Sequence, residues 1–199
     1  MADLNLSEQF GLDTVYGANA ERQIIKEITI ASDASVDFVH GVDDVVIDST
    51  FDKYIIEIID LVPGTDSVAL DARLSDDLGV TWESGGNYFW AGYYHHRANG
   101  AGSDFQDSDT SIGLTSGATM GNATAEERYS AVVEFLSQSG GSPYGHYRSN
   151  WLSQASTRLV WNAGSWILGN SAMSGFNGIQ ILPSSGVLTS GKIKLIGLK

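Results

Sequence analysis

Aromatic side chains crowd two stretches of this sequence, residues 88–94 and 144–151, and they are its most suggestive chemical feature. Neighbouring residues of a strand point to opposite faces, so only half of such a cluster can fill one core. An exposed flat ring can cover the apolar face of a pyranose sugar, whereas buried rings dominate cores and subunit interfaces. The candidate ligand contacts are Tyr88, Trp90, Tyr93, Tyr94, Tyr144, Tyr147 and Trp151. Core and interface packing is the alternative role for each of them.

Glycine pairs flank both aromatic stretches and predict that the rings lie near loops. Gly85-Gly86 precedes the first stretch, and Gly140-Gly141 precedes the second. Binding residues are commonly carried by loops at the end of a sandwich. We therefore expect a ligand, if one binds, to be a surface glycan held at residues 88–96 and 144–151.

Histidines and carboxylates do not form the spacing of a metal site. His95 and His96 are adjacent, so in a strand they diverge, and His40 and His146 stand alone. The densest carboxylate patch, residues 104–109, lacks the glycine and glutamate of a calcium-binding EF-hand loop. We expect a solvated acidic loop there, and no metal site.

The sequence also lacks the motifs of nucleophilic catalysis and of cofactor binding. There is no cysteine and no G-x-S-x-G, since Gly169-Asn170-Ser171-Ala172 is followed by methionine. Gly100-Ala101-Gly102 lacks the rest of a dinucleotide or phosphate-loop fingerprint. Paired carboxylates for glycoside hydrolysis stay open, because such a pair is defined in space. We expect no enzymatic activity and no cofactor.

The charge of the chain argues against two classes of partner. The formal net charge is −13, and the 11 Lys and Arg residues form no basic stripe. An acidic surface repels nucleic-acid phosphates and anionic lipids. The first 13 residues contain Asp3 and Glu8 and have no signal-peptide pattern, and no apolar run is long enough to span a bilayer. We expect synthesis in a cytoplasm, no nucleic-acid binding and no membrane insertion.

The elements that position these residues are predicted to be strands. Val68, Leu70, Ala72 and Leu74 alternate with more polar residues, which is typical of a half-buried strand. Residues 54–59 are apolar on both faces and predict a central strand. Other strands are predicted at 24–30, 36–39, 88–96, 110–114, 128–137, 146–152, 158–161, 165–168, 176–182 and 192–198. Residues 122–134 predict one helical turn that leads into a strand.

Short strands separated by turn residues predict an antiparallel β-sandwich of the jelly-roll kind. The chain has 199 residues, which is long enough for one well-buried core, and we expect one domain at 21–199. The 23 Gly, against only 3 Pro, are typical of a β-protein with many tight turns. Residues 1–20 have apolar content without a lasting period and predict an extended N-terminal arm that orders against a partner.

Both ends of the domain resemble small fibre-like and decoration-like surface proteins of tailed bacteriophages. The residues that carry the resemblance are 25–30 with 35–38, 51–58, 62–66, 70, 73–77, 81–82 and the closing 188–199. Residues 83–178 match no part of that pattern. The resemblance implies a β-sandwich, a structural place on the virion surface, and trimers, and it carries over no catalytic residues.

The function expected from these observations is that of a structural virion protein, either a tail fibre or appendage, or a capsid-decoration protein. The arm would bind other virion proteins, the domain would form a homotrimer, and its surface could bind a host glycan. A free carbohydrate-binding module is the alternative, and a small glycosidase or depolymerase is the third class. A deep cleft with two carboxylates would indicate the last of these.

Overall fold

A computed structural model describes residues 22–96, 100–136, 141–153, 158–169, 173 and 175–199. The arm predicted at 1–20 lies outside the described residues. Within these ranges the chain forms strands and no helix. The strands are β1 (Arg22–Thr29), β2 (Val36–Val39), β3 (Lys53–Pro63), β4 (Leu70–Ser75), β5 (Tyr88–His96), β6 (Gly100–Asp109), β7 (Ile112–Gly113), β8 (Tyr129–Leu136), β9 (Tyr144–Ser153), β10 (Arg158–Leu168), β11 (Gly178–Pro183) and β12 (Leu188–Leu198). No helix suited to crossing a membrane occurs in the described part.

The strands form two antiparallel sheets. The large sheet has eight strands in the order β1-β12-β3-β8-β9-β10-β5-β6, and the small sheet has four in the order β2-β11-β4-β7. Every pairing within them is antiparallel. The prediction of an antiparallel β-sandwich is confirmed.

Strict alternation of side chains explains why the central strands form. In β8, Tyr129, Ala131, Val133 and Phe135 are buried, while the residues between them are half-buried. Strand β3 alternates in the same way from Lys53 to Ile59. It pairs with β12 on one side and with β8 on the other. Because one face of each strand lies against the small sheet, a shift by one residue would expose the whole apolar set. The predicted central position of residues 54–59 is confirmed.

The core lies between the two sheets. Ile56 and Phe135 of the large sheet belong to the same buried cluster as Phe38, Leu74 and Ile179 of the small sheet. Burial of each such side chain contributes about 1.5–3 kcal/mol relative to leaving it exposed. The two sheets are also joined by polar contacts, since the backbone N–H of Leu74 donates to the Tyr88 hydroxyl at 2.8 Å.

A single turn forms near residue 124 and leads into a strand, as predicted, without continuing into a helix. The backbone N–H of Glu127 donates to the carbonyl of Thr124 at 3.2 Å. The buried Glu127 carboxylate accepts the backbone N–H groups of Ala123 at 2.6 Å and Thr124 at 3.2 Å. The chain then enters β8 directly. Side-chain acceptors of this kind compete with helical hydrogen bonding.

The predicted acidic loop at 104–109 is also wrong, because these residues belong to strand β6. Strand β6 lies at the edge of the large sheet and pairs with β5 through its backbone. Its side chains are mostly exposed on both faces, so hydrophobic alternation is absent from its sequence. Residues 158–161 and 165–168, predicted as two strands, form the single strand β10.

Candidate ligand-binding groove

The outer face of the large sheet, which points away from the small sheet, carries a row of cross-strand neighbours with small members in the middle. Ser165 on β10 pairs with His146 on β9 and with Ala91 on β5. Ala91 pairs in turn with Phe105 on β6. Side chains that lie directly opposite each other in a sheet are close enough to form one surface.

The adjacent row repeats this arrangement. Ala163 on β10 pairs with Arg148 on β9 and with Tyr93 on β5, and Tyr93 pairs with Ser103 on β6. Three small side chains on β10 and β5 therefore meet on the outer face and leave a shallow floor, and the small Ser103 lies at its margin on β6: Ala91, Ala163 and Ser165 form the floor.

Larger side chains surround this floor. The next row on one side contains Tyr144, Ile167 and Phe89, and the next on the other side contains Trp161 and His95. The resulting depressions have volumes of about 530 Å³ and 610 Å³, and both are lined by Ala91, Phe105, His146 and Ser165. We call the surface formed by Ala91, Tyr93, Phe105, His146, Ala163 and Ser165 the outer groove. Phe105 is 65% exposed and Tyr93 is 49% exposed, so both rings are accessible to a ligand.

On the inner face of the sheet, beneath the groove, two glycines leave room for the ring of Tyr147. Gly164 on β10 pairs with Tyr147 on β9 and with Gly92 on β5. A β-carbon at either glycine would collide with the Tyr147 hydroxyl, so the absent side chains make room for this ring. The Tyr147 hydroxyl is hydrogen-bonded to that of Ser116, and burial raises the pKa of Tyr147 to about 12. Tyr147 therefore crosses two strands beneath the groove floor.

Four of the predicted ligand-binding residues belong to the core. Tyr88, Trp90, Tyr147 and Trp151 are all less than 10% exposed. The Trp90 indole donates to Asp109 Oδ2 at 3.0 Å, and the Trp151 indole donates to the carbonyl of Thr119 at 3.0 Å. The structure corrects their assignment, because a buried ring offers no face to a ligand. Core packing, the alternative weighed from the sequence, applies to these four.

The remaining three predicted residues occupy different places. Tyr93 lies in the outer groove, and Tyr144 lines the depression beside Phe89. Tyr94 points to the inner side of β5, where its ring packs closely over Gly102 and Gly117. Glycan binding stays a prediction for Tyr93 and Tyr144. Both predicted stretches lie on paired strands, β5 and β9, rather than in loops.

Sequence reasoning missed the residues of β6 and the polar residues of β9. Phe105 sits within the acidic patch that predicted a loop, and His146 was treated as an isolated histidine. One signal was available, because Ala91-Gly92 and Ala163-Gly164-Ser165 are runs of small residues between large aromatic ones. Paired runs of this kind indicate a place where the sheet carries little side-chain bulk.

Within the described ranges, no three His, Asp or Glu side chains are grouped so that they could hold a metal ion. The outer groove is instead lined by aromatic, small and singly placed polar side chains. Such a lining can contact a ligand through ring faces and hydrogen bonds.

No protein-family model and no curated protein matches this sequence. Among solved structures, an exo-inulinase from Aspergillus awamori has 9% identity and a TM-score of 0.36, with 92% of this chain and 31% of that chain covered. The CBM2 module of the evolved Dit of Lactobacillus casei BL23 phage J-1 has 9% identity and a TM-score of 0.22, with 82% and 68% covered. The VP2 subviral particle of infectious bursal disease virus has 14% identity and a TM-score of 0.17, with 90% and 42% covered.

The chain thus spans less than a third of the inulinase chain. All three TM-scores lie below 0.5. Such slight likeness assigns no activity to this chain.

Proposed function

We propose that this chain is a bacteriophage virion surface protein that binds a glycan in its outer groove without cleaving it. The observation that carries the binding role is the pair of exposed rings, Phe105 and Tyr93, beside a floor of small side chains. The place on a virion is supported by the resemblance of both ends of the domain to phage fibre-like and decoration-like proteins.

The shape of the groove suits a sugar. Its depressions, about 530 Å³ and 610 Å³, fall within the range of small-ligand sites, roughly 300–1,000 Å³. A flat floor of Ala91, Ala163 and Ser165 admits a pyranose ring edgewise or flat against a neighbouring aromatic side chain. Ser103 and His146 lie at the margins, where hydroxyl groups of a sugar need hydrogen-bond partners.

Phe105→Ala and Tyr93→Ala test the binding role. If one ring contributes about 0.5–1.5 kcal/mol, its loss weakens binding roughly two- to tenfold. Binding to an array of bacterial surface polysaccharides measures this loss for each variant. Val80→Ala is the matched control, because Val80 is 80% exposed on the loop after β4 and is absent from the groove lining. Unchanged binding by both groove variants would overturn the proposal.

The same array separates binding from hydrolysis. We expect no release of reducing ends from any polysaccharide that the protein binds. Turnover that disappears when a single Asp or Glu is changed would instead identify a glycosidase or depolymerase.

The virion location needs a separate measurement. We expect an antibody against the domain to label purified phage particles, and its copy number to distinguish decoration from a tail appendage. Hundreds of copies would indicate capsid decoration, whereas a handful would indicate the tail. Detection of the protein only apart from particles would support the free carbohydrate-binding module.

A further inference from the structure

We propose that the outer groove recognises an acidic sugar and that Arg148 binds its carboxylate. The inference rests on the proposed glycan-binding function and names the class of glycan. Two observations support it: Arg148 lies at the margin of the groove, and the nearby lysines form ion pairs with glutamates whereas Arg148 does not.

Arg148 is exposed on the outer face of β9, at the margin of the groove floor. Its cross-strand neighbours are Val132 on β8 and Ala163 on β10, and neither can accept a hydrogen bond through its side chain. His146 lies two residues earlier on the same face and lines both depressions of the groove. Two nitrogen-bearing side chains therefore border the floor from the β9 side.

The lysines on the outer face near Arg148 are already paired. Lys53 lies 3.3 Å from Glu134, and Lys194 lies 3.7 Å from Glu57. Arg22 also approaches Glu57, at 3.8 Å. Glu57 and Glu134 each line a depression that Arg148 also lines, yet neither forms an ion pair with it.

Arg148 itself has no hydrogen-bond or ion-pair partner among the described residues. This is notable in a chain with 24 acidic residues and only 11 Lys and Arg. A guanidinium group that the described residues leave unpaired, in the same row as the exposed ring of Tyr93, is available to a ligand.

The chemistry of the guanidinium group selects the ligand. Its planar array of donors matches a carboxylate in a bidentate arrangement, which a neutral hydroxyl cannot reproduce. Arg148 and Tyr93 lie in one row, separated by β10, so their backbones are about 10 Å apart at the usual strand spacing. A pyranose stacked on Tyr93 can direct an exocyclic carboxylate towards the arginine side chain across Ala163.

The test compares matched acidic and neutral sugars. The probes are oligosaccharides that carry hexuronic or sialic acids, the same oligosaccharides with each carboxyl group reduced to an alcohol, and sulfated oligosaccharides of equal length. We expect wild-type protein to bind an acidic probe at least about tenfold more tightly than its reduced form, the scale of one charge-assisted contact. Arg148→Gln should abolish this preference and leave binding of the reduced probe unchanged. Arg128→Gln is the control, because Arg128 is an exposed arginine that lines neither the groove depressions nor the two adjoining depressions that Arg148 lines.

The outcomes separate the two proposals. Equal binding of acidic and reduced probes, or an Arg148→Gln variant with unchanged preference, overturns the acidic-sugar inference while binding through Phe105 stands. A sulfated probe that binds as tightly as the carboxylated one overturns the assignment to a carboxylate. Failure of wild-type protein to bind any probe or polysaccharide overturns the glycan-binding function itself.

Discussion

Asp71 on β4 is a carboxyl group whose burial opposes its ionisation. Burial and, to a smaller extent, the nearby Asp109 raise the pKa of Asp71 against the opposing effect of Arg73, and the resulting pKa is about 6. The folded protein therefore holds the Asp71 proton more tightly than the unfolded chain does. Stability from this group is fully present below pH 4 and is lost as the pH rises from about 4 to about 6.

We expect Asp71→Asn to stabilise the protein at pH 7.5 and to leave its stability nearly unchanged at pH 4. A pKa raised from 3.8 to about 6 corresponds to a gain of up to about 3 kcal/mol in the free energy of unfolding at pH 7.5. Urea unfolding at the two pH values measures the difference. Asp76→Asn is the control, since Asp76 is exposed in the turn after β4. An equal effect of Asp71→Asn on the free energy of unfolding at both pH values would contradict the raised pKa of Asp71.

At the scale of elements, the close packing of Tyr147 of β9 over β10 and β5 requires a glycine at position 164. A β-carbon on Gly164 would lie 2.6 Å from the backbone carbonyl oxygen of Ala91 and would also collide with the Tyr147 hydroxyl. Neither group can withdraw easily, because the carbonyl belongs to the adjacent strand and the ring is buried.

We expect Gly164→Ala to lower the free energy of unfolding by about 1–3 kcal/mol, the usual cost of overpacking a filled core. Chemical denaturation compares it with Ser165→Ala, which introduces alanine at the next residue on the exposed outer face. We expect that control to change stability by less than about 0.5 kcal/mol. A Gly164→Ala protein as stable as wild type would show that the strands can separate locally.

The sequence predicted elements well where one face is buried and the other is not. Strand β4 alternates clearly, and in β12 Ile193 and Leu195 alternate with Lys192 and Lys194, so the type of both strands was confirmed and only their ends moved. Strand β6 was missed because an edge strand exposed on both faces has no pattern to detect. Strand β10 was divided in two because Ala163-Gly164 interrupts its large residues, although pairing to β5 and β9 continues through them.

The candidate site was only half predictable for a related reason. Alternation shows that Tyr88 and Trp90 share one face of β5 while Phe89, Ala91 and Tyr93 share the other. It does not show which face meets the small sheet. Contacts with the small sheet decide this, namely Leu74 of β4 for Tyr88 and Gly113 of β7 for Trp90.

At the scale of the whole molecule, exposed apolar side chains remain after the core is complete. Leu159, Trp161 and Ile167 of β10 are all about half exposed, at 54%, 50% and 45%. Ile24 of β1, the strand at one edge of the large sheet, is 58% exposed. Trp161 and Ile167 border the outer groove, so we expect copies of the chain to cover the surface around Ile24 in a homotrimer and to leave the groove open, consistent with the resemblance to phage surface proteins.

Light scattering coupled to size-exclusion chromatography measures the oligomeric state directly. We expect three times the chain mass of 21.3 kDa at micromolar concentration. Ile24→Ser should weaken the trimer, whereas Trp161→Ser, which changes a side chain beside the groove, should leave the measured mass unchanged. A monomer mass for the wild-type protein would contradict the trimer.

The order of strands in the large sheet also has a practical consequence. Arg22 pairs with Leu198, so residues 22 and 198 meet at the β1–β12 edge, whereas β10 and β5 lie five and six strands from β1. At about 4.8 Å per strand, the groove lies roughly 25–30 Å along the sheet from that edge. A linker attached next to residue 22 or residue 198 can therefore fix the protein to a sensor chip with the groove turned towards the solution.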